Sequence, residues 1–239
     1  MGQAVLAKVE PSEVHLWRMS TSIASVDASA LEALLSGAER AKAIRFRRAA
    51  DRARYLASHA MLRLVLSRYV GAPAGELEFE VGDRGKPKLA RDPGFPLSFN
   101  LSHSGAMALL AVSGAPAVGV DIEEIRDDVD VPALARSVLS AAELRVLRGA
   151  PVERQCSLFF RGWVRKEAVL KGCGLGLTVN LDEVVVLGDD ANDDAGLTSV
   201  KPGAGQTEWG VRDVKIDDRH AGAVAAPGRD WALRSFEYH

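Results

Sequence analysis

Glu167 and Lys171 stand four residues apart in the run Phe159-Phe160-Arg161-Gly162-Trp163-Val164-Arg165-Lys166-Glu167-Ala168-Val169-Leu170-Lys171, which Gly172-Cys173-Gly174 closes. Wound as a helix at about 100° per residue, Leu170, Glu167, Phe160, Lys171, Val164 and Ala168 share one arc with Trp163, while Arg165 and Lys166 point elsewhere. That arc is apolar except for one acid and one base. Burying charge among aromatic and aliphatic groups costs several kcal/mol unless a partner or a metal offsets it. A structural ion pair and a functional pair explain this segment equally well, and the rest of the chain decides between them.

A second acidic group lies upstream. A strand over Ala117–Ile122 follows the turn Ser113-Gly114-Ala115-Pro116, and alternation places Val118, Val120 and Ile122 on one face and Gly119, Asp121 and Glu123 on the other. The two carboxylates are then about 6.6 Å apart along the strand, and they repel unless a cation lies between them. Oxygen-only donors suit Mg²⁺, which takes one or two carboxylates and completes its shell with water and substrate phosphate. An isolated Asp-x-Glu is usually surface decoration. Combined with Glu167, it becomes a candidate metal site.

Cations gather ahead of these acids. From Arg40 to Arg54 the chain carries Arg40, Lys42, Arg45, Arg47, Arg48, Arg52 and Arg54 against Asp51 alone. Such a run is most often a solvated helix face, but in a slightly acidic chain the imbalance points to an anion site. The turn Gly82-Asp83-Arg84-Gly85-Lys86-Pro87-Lys88 adds three more cations.

The elements that must hold these groups follow from periodicity. An early strand pair or edge strand is expected within 4–19, and a helix from Ser25–Ser29 to about Gly37. A long amphipathic helix with Tyr55, Leu56, His59, Leu62, Leu66 and Tyr69 at helical spacing ends at Gly71. Strands are expected over Leu77–Val81, Leu97–Ser104 and Met107–Val112. Val131–Leu147 reads as helical with a capping box, Ser140-Ala141-Ala142-Glu143, partway along. Leu181–Leu187 reads as an apolar strand, Gly188–Gly205 as a surface loop, and Glu208–Ile216, Ala221–Ala226 and Trp231–Tyr238 as the last strands. Each half holds helices followed by short strands, so an α+β fold of two similar subdomains is expected, 1–117 and 118–239, each a small antiparallel sheet packed with helices around a shared cleft.

Composition narrows the function. The 239 residues carry a net charge of −2, with 47% hydrophobic and 26% charged residues, which does not suggest a nucleic-acid partner. Cys156 and Cys173 cannot build a disulfide framework. Met1–Glu10 lacks a basic segment leading into an apolar run, and no apolar stretch approaches a membrane span. A cytoplasmic protein with no membrane partner is the expectation.

Gly119-Val120-Asp121-Ile122-Glu123, Trp163 to Lys171 and Asn100-Leu101-Ser102-His103-Ser104-Gly105, with 44 residues from Glu123 to Glu167, together resemble the Sfp-type 4'-phosphopantetheinyl transferases over about Arg40 to Leu177. The resemblance implies transfer of the phosphopantetheine arm of coenzyme A to a serine of an acyl or peptidyl carrier protein, with Mg²⁺ (Mn²⁺ as a substitute), and release of adenosine 3',5'-bisphosphate. By motif, Asp121, Glu123 and Glu167 would hold the metal. Lys171 would reach the pyrophosphate, Lys86 would line the adenine side, and Ser102 and His103 would hold the 3'-phosphate with Lys42, Arg48 and Arg54. Glu167, directly or through a metal-bound water, would take the serine proton, and Lys171 would stabilise the leaving phosphate. Relatives often carry a lysine where this chain has Glu39, so Arg40 takes over that contact or the contact is absent.

The carriers implied are those of polyketide, nonribosomal peptide or fatty acid synthases, met by a monomer. Arg45–Arg48 or apolar residues of Val138–Leu147 are candidates for the carrier surface. Trp163 reads as a core anchor, and His15, His59, His220 and His239 carry no expected role. Two other readings compete: a metal-dependent phosphodiesterase or nuclease, disfavoured by the lack of a basic surface, and a binding module without catalysis, disfavoured by the intact acids and Lys171.

Overall fold

Two helices of 22 residues, α3 (Ala49–Val70) and α6 (Val152–Cys173), each cover one four-stranded sheet and each end on a left-handed glycine, Gly71 or Gly174. The structure is a computed structural model that describes residues 8–21, 28–82, 86–174, 180–188, 198–200 and 208–238. In chain order the remaining elements are β1 (Glu13–Ser20), α1 (Ala28–Leu34), α2 (Gly37–Ile44), β2 (Phe79–Val81), β3 (Pro87–Leu89), β4 (Ser98–Ser104), β5 (Met107–Ser113) and β6 (Gly119–Glu124). After these come α4 (Val131–Val138), α5 (Ala141–Gly149), β7 (Thr198–Val200), β8 (Trp209–Asp213), β9 (His220–Pro227) and β10 (Ala232–Glu237).

The sheets run β10-β1-β5-β4 and β6-β9-β8-β7, with β2 and β3 as a separate ribbon. Trp17, Met61, Leu62, Leu66, Phe99 and Leu110 form the core between α3 and the first sheet. Phe160, Val164, Ala168, Val169, Ala223 and Ala225 do the same between α6 and the second. A third cluster, with Leu16, Leu109, Val120, Ile122 and Val224, packs the two sheets against each other. The α+β architecture with two helix-covered sheets is as expected.

Four elements differ from the sequence reading. β1 is an interior strand, paired to β5 on one side and to β10 on the other. The β1–β10 pairing is parallel, so the first sheet is not wholly antiparallel, and the last strand of the 118–239 half returns to the 1–117 half. Val131–Leu147 is two helices, because the capping box at Ser140 starts a new one after Leu139 turns extended. Leu181–Leu187 is no strand: a 3₁₀ turn over Leu181–Glu183 leads into an extended stretch whose backbone groups bond to buried side chains. Most of the Gly188–Gly205 loop lies outside the described residues, as does Asp83-Arg84-Gly85; within the former, 198–200 form β7.

Candidate active site

β4 and β6 belong to different sheets and lie side by side, joined by side chains rather than by a backbone ladder. Val120 N donates to Asn100 Oδ1 at 2.8 Å. Ser102 Oγ donates to Asp121 Oδ1 at 2.8 Å, and Ser104 Oγ donates to Glu123 Oε2 at 2.8 Å while accepting from Glu124 N at 3.0 Å. The period-2 face of β4 that carries Asn100, Ser102 and Ser104 therefore aims the two carboxylates of β6.

α6 crosses the other side of β6 at backbone contact. A Cβ at Gly119 would lie 1.9 Å from Ala168 O and 2.5 Å from Gly172 N, neither of which can move aside, so only glycine fits there. This approach brings Lys171 Nζ to Asp121 Oδ1 at 2.5 Å and to Ser102 Oγ at 3.1 Å. The base of the apolar arc thus pairs with the strand acid, and Glu167 Oε1 is buried with no hydrogen-bond partner, as is Asp121 Oδ2.

The acids feel one another. Burial raises the Asp121 carboxyl above its ordinary range despite Lys171 and Ser102. Burial also raises Glu123, with Asp121 adding to it against hydrogen bonds from Ser104 and the Trp163 indole. Burial, then Asp121 and Glu123, raise Glu167, opposed by Lys171. Among the described residues no three His, Cys, Asp or Glu side chains form a ready metal cage. Mg²⁺ does not require one, since it keeps several waters and takes one or two carboxylates plus phosphates. Two orphaned oxygens on mutually repelling carboxylates fit such an ion.

The other expected residues are distributed along the cleft. Ser102 is buried with its hydroxyl committed to Asp121 and Lys171. His103 is exposed; desolvation at the cleft wall, then the charges of Arg54 and His59, hold its imidazole below the usual value, with Lys171 adding to them. Arg54 Nε donates to Gly105 O at 2.6 Å, at the tip of the β4–β5 hairpin. Lys86 lies at the opposite end, where Nζ donates to Val118 O at 2.7 Å and approaches Gly172 O at 3.5 Å; burial pulls its ammonium down to about 8. It shares a cavity of about 430 Å³ with Cys173. Lys42 is exposed, with its ammonium over the Tyr55 ring at 5.3 Å from the centroid.

Beside Glu123 opens a second cavity of about 650 Å³, lined by Arg48, Arg54, Leu134, Phe159, Phe160 and Trp163 among others. Trp163 packs against the core of the second sheet, as expected, and also forms a wall of this cavity. Val138, Leu139 and Leu147 are buried in the core and cannot meet a partner, whereas Leu134 is exposed. Ser104 was not singled out from the sequence, although the Asn100-x-Ser102-x-Ser104 alternation carries the signal. His59 likewise gains a place beside His103 that its sequence context did not reveal.

The unusual Glu39 has a structural explanation. It caps α2 through Ser36 and accepts from buried Arg63 at 2.6 and 2.9 Å, with His59 Nδ1 at 3.1 Å. Arg40 is exposed, and its Nη1 donates to Leu35 O and Glu32 O. Burial works against the Glu39 charge, but hydrogen bonds from His59, Arg63 and Ser36 outweigh it and pull the carboxyl down to about 2. A carboxyl lowered on folding stabilises the protein above its unfolded value near 4.5, and that contribution disappears as pH falls toward 2. Glu39→Gln is expected to cost on the order of 3 kcal/mol at neutral pH, with the gap to wild type closing below pH 4 in urea melts. A gap independent of pH would show that the charge contributes nothing.

Comparison with known proteins relates the sequence to a family. A family model described as the 4'-phosphopantetheinyl transferase superfamily matches residues 117–225, and one described as 4'-phosphopantetheinyl transferase, N-terminal, matches residues 20–115. The chain is 35% identical to 4'-phosphopantetheinyl transferase HetI of Nostoc sp., over 95% of this chain and 92% of that one. It is 39% identical to 4'-phosphopantetheinyl transferase psf-1 of Bacillus pumilus over 63% of each. The solved structure of Thermotoga maritima holo-[acyl-carrier-protein] synthase aligns with a TM-score of 0.37 and 21% identity, covering 47% of this chain and 63% of that one. With one such relative matched over nearly the whole of both sequences, the chain belongs to the 4'-phosphopantetheinyl transferase family and is an enzyme of that type.

Proposed function

We propose that this transferase moves the phosphopantetheine arm of coenzyme A to a serine of an acyl or peptidyl carrier protein, with Mg²⁺, and releases adenosine 3',5'-bisphosphate. The observation that carries the reading is the pair of buried, unpartnered oxygens, Asp121 Oδ2 and Glu167 Oε1, beside the Lys171 ammonium. Coenzyme A would lie along the cleft with adenine near Lys86 and its 3'-phosphate among His103, Arg54 and the basic α2–α3 region that bears Lys42 and Arg48. Asp121, Glu123 and Glu167 would hold Mg²⁺, which supplies charge neutralisation at the pyrophosphate.

Glu167, raised by burial and by Asp121 and Glu123, is suited to accept the serine proton. The serine oxygen bonds to the phosphorus that bears pantetheine as that phosphorus loses its bridging oxygen. Lys171 stabilises the charge that grows on the departing bisphosphate. The cavity beside Glu123, rimmed by Arg48 and Arg126 with exposed Leu134, suits the carrier side. Carriers of fatty acid, polyketide or nonribosomal peptide synthases all present this chemistry. Because β4 and β6 of one chain complete the cleft, a monomer in the cytoplasm suffices.

The test is the intact mass of an apo carrier incubated with the protein, coenzyme A and Mg²⁺. A gain of one phosphopantetheine arm that EDTA abolishes is expected. Coenzyme A binding without any mass gain across several carriers would overturn the reading.

A further inference from the structure

We propose that Ser104 is a positioning residue for the divalent cation: its hydroxyl fixes Glu123 in the orientation in which that carboxylate takes a metal. The inference rests on the reading that Asp121, Glu123 and Glu167 hold Mg²⁺. Ser104 Oγ accepts from Glu124 N at 3.0 Å, and this backbone donor pins the oxygen in place. A hydroxyl has one proton, and here it is donated to Glu123 Oε2 at 2.8 Å. The serine rotor is therefore locked from both sides by β6 itself, and the lock includes the peptide that follows Glu123.

Ser102, two residues earlier, is wired differently. Its hydroxyl proton also goes to a carboxylate, Asp121 Oδ1, but its oxygen accepts from the side-chain ammonium of Lys171 on α6. Ser102 therefore belongs to the Lys171 side of the site, and Ser104 serves Glu123 alone. On α6, Trp163 lines the same cavity as Glu123, so this carboxylate sits between both walls of the cleft. Carboxylates that ligate metals are oriented by hydrogen bonds of this kind, and their loss costs about 10- to 100-fold in affinity. Glu123 is only partly buried, so without Ser104 it has room to turn into the adjoining cavity.

The experiment is a Mn²⁺ titration followed by the electron paramagnetic resonance of free Mn²⁺, without carrier, on wild type, Ser104→Ala, Ser104→Thr and Ser104→Cys, with circular dichroism melts of each. Ser104→Ala is expected to weaken Mn²⁺ binding about tenfold without loss of the folded spectrum, and Ser104→Thr, which keeps the hydroxyl, to bind as wild type does. Should the alanine variant not fold, Ser104→Cys, a weak donor of similar shape, must show the loss. Folded Ala or Cys variants with wild-type affinity overturn the proposal while leaving the metal site standing. Wild type that binds no Mn²⁺, even with coenzyme A present, overturns the metal reading itself and this proposal with it.

Discussion

Glu167→Gln is expected to lower the turnover of carrier modification by about 10³-fold, within the range for losing a general base, and at the same time to make the protein more stable. The two effects share one cause. Burial, Asp121 and Glu123 hold the Glu167 carboxyl above its ordinary range, so the native state binds that proton more tightly than the unfolded chain does. A group raised in this way stabilises the fold at low pH and loses its contribution as pH rises through the carboxylate range. At neutral pH the ionised Glu167 is a charge with an unpartnered buried oxygen. Glutamine has nearly the same shape and no charge, and relieves the repulsion among three acids. Gains of this kind are about 1 kcal/mol, or roughly 2–4 °C in Tm for a chain of this size. The gain should shrink toward pH 4, where wild type is protonated, and shrink again when Mg²⁺ is added to wild type. A Gln variant that keeps turnover within tenfold of wild type, or melts below it at pH 7.5 without metal, would refute the assignment.

The placement of the candidate residues on their elements is legible in the sequence because the constraints on it are local. Helical period placed Glu167 and Lys171 on one arc of α6, and strand period placed Asp121 and Glu123 on one face of β6. The structure then sets those two local patterns against each other, with Lys171 on Asp121. The sequence left open whether the acid and base of the arc pair with each other, since that depends on the backbone approach that Gly119 permits. Strand alternation puts Gly119 on the face of the acids but does not reveal that it is the point of contact between β6 and α6.

What periodicity could not reveal was pairing between distant segments. β10 has the alternation of a strand, but nothing in Trp231–Tyr238 says that its neighbour is β1, far away in the chain and parallel. Leu181–Leu187 failed for a related reason. Val184, Val186 and Leu187 are as buried as strand residues would be, so the hydrophobic run was real. Its backbone groups are satisfied by Glu143, Arg165 and Lys166 instead of a strand ladder. By period alone Arg165 and Lys166 point away from the apolar arc of their helix, and Glu143 reads only as part of a capping box. A charge whose partner is a main-chain carbonyl 15 residues away leaves no trace in the pattern of its own helix.

Cutting that connection is expected to produce the largest loss of stability among the substitutions considered. Lys166 and Glu143 have fully buried side chains, and their charges meet at 2.7 Å. Lys166 Nζ also donates to Leu181 O at 2.8 Å and Val184 O at 2.6 Å, which uses all three of its protons. Glu143 accepts from Ser140 N at 2.9 Å through one oxygen, and from Val186 N at 2.8 Å and Leu187 N at 3.2 Å through the other. The pair therefore nails the 181–187 stretch to α5 and α6, one residue from Glu167. Glu143→Ala would leave an ammonium in a dry core and three backbone donors without their acceptor, at a cost of about 3–5 kcal/mol. Lys166→Met would remove one charge but leave the carboxylate its backbone donors, so the loss should be smaller. The double variant Glu143→Ala/Lys166→Met should recover part of it, because a buried pair removed whole is far less costly than one cut in half. Urea melts of the four proteins give the coupling directly. Additive losses would mean that the two charges stabilise the fold separately, and the clamp on α6 would then be the backbone bonds alone.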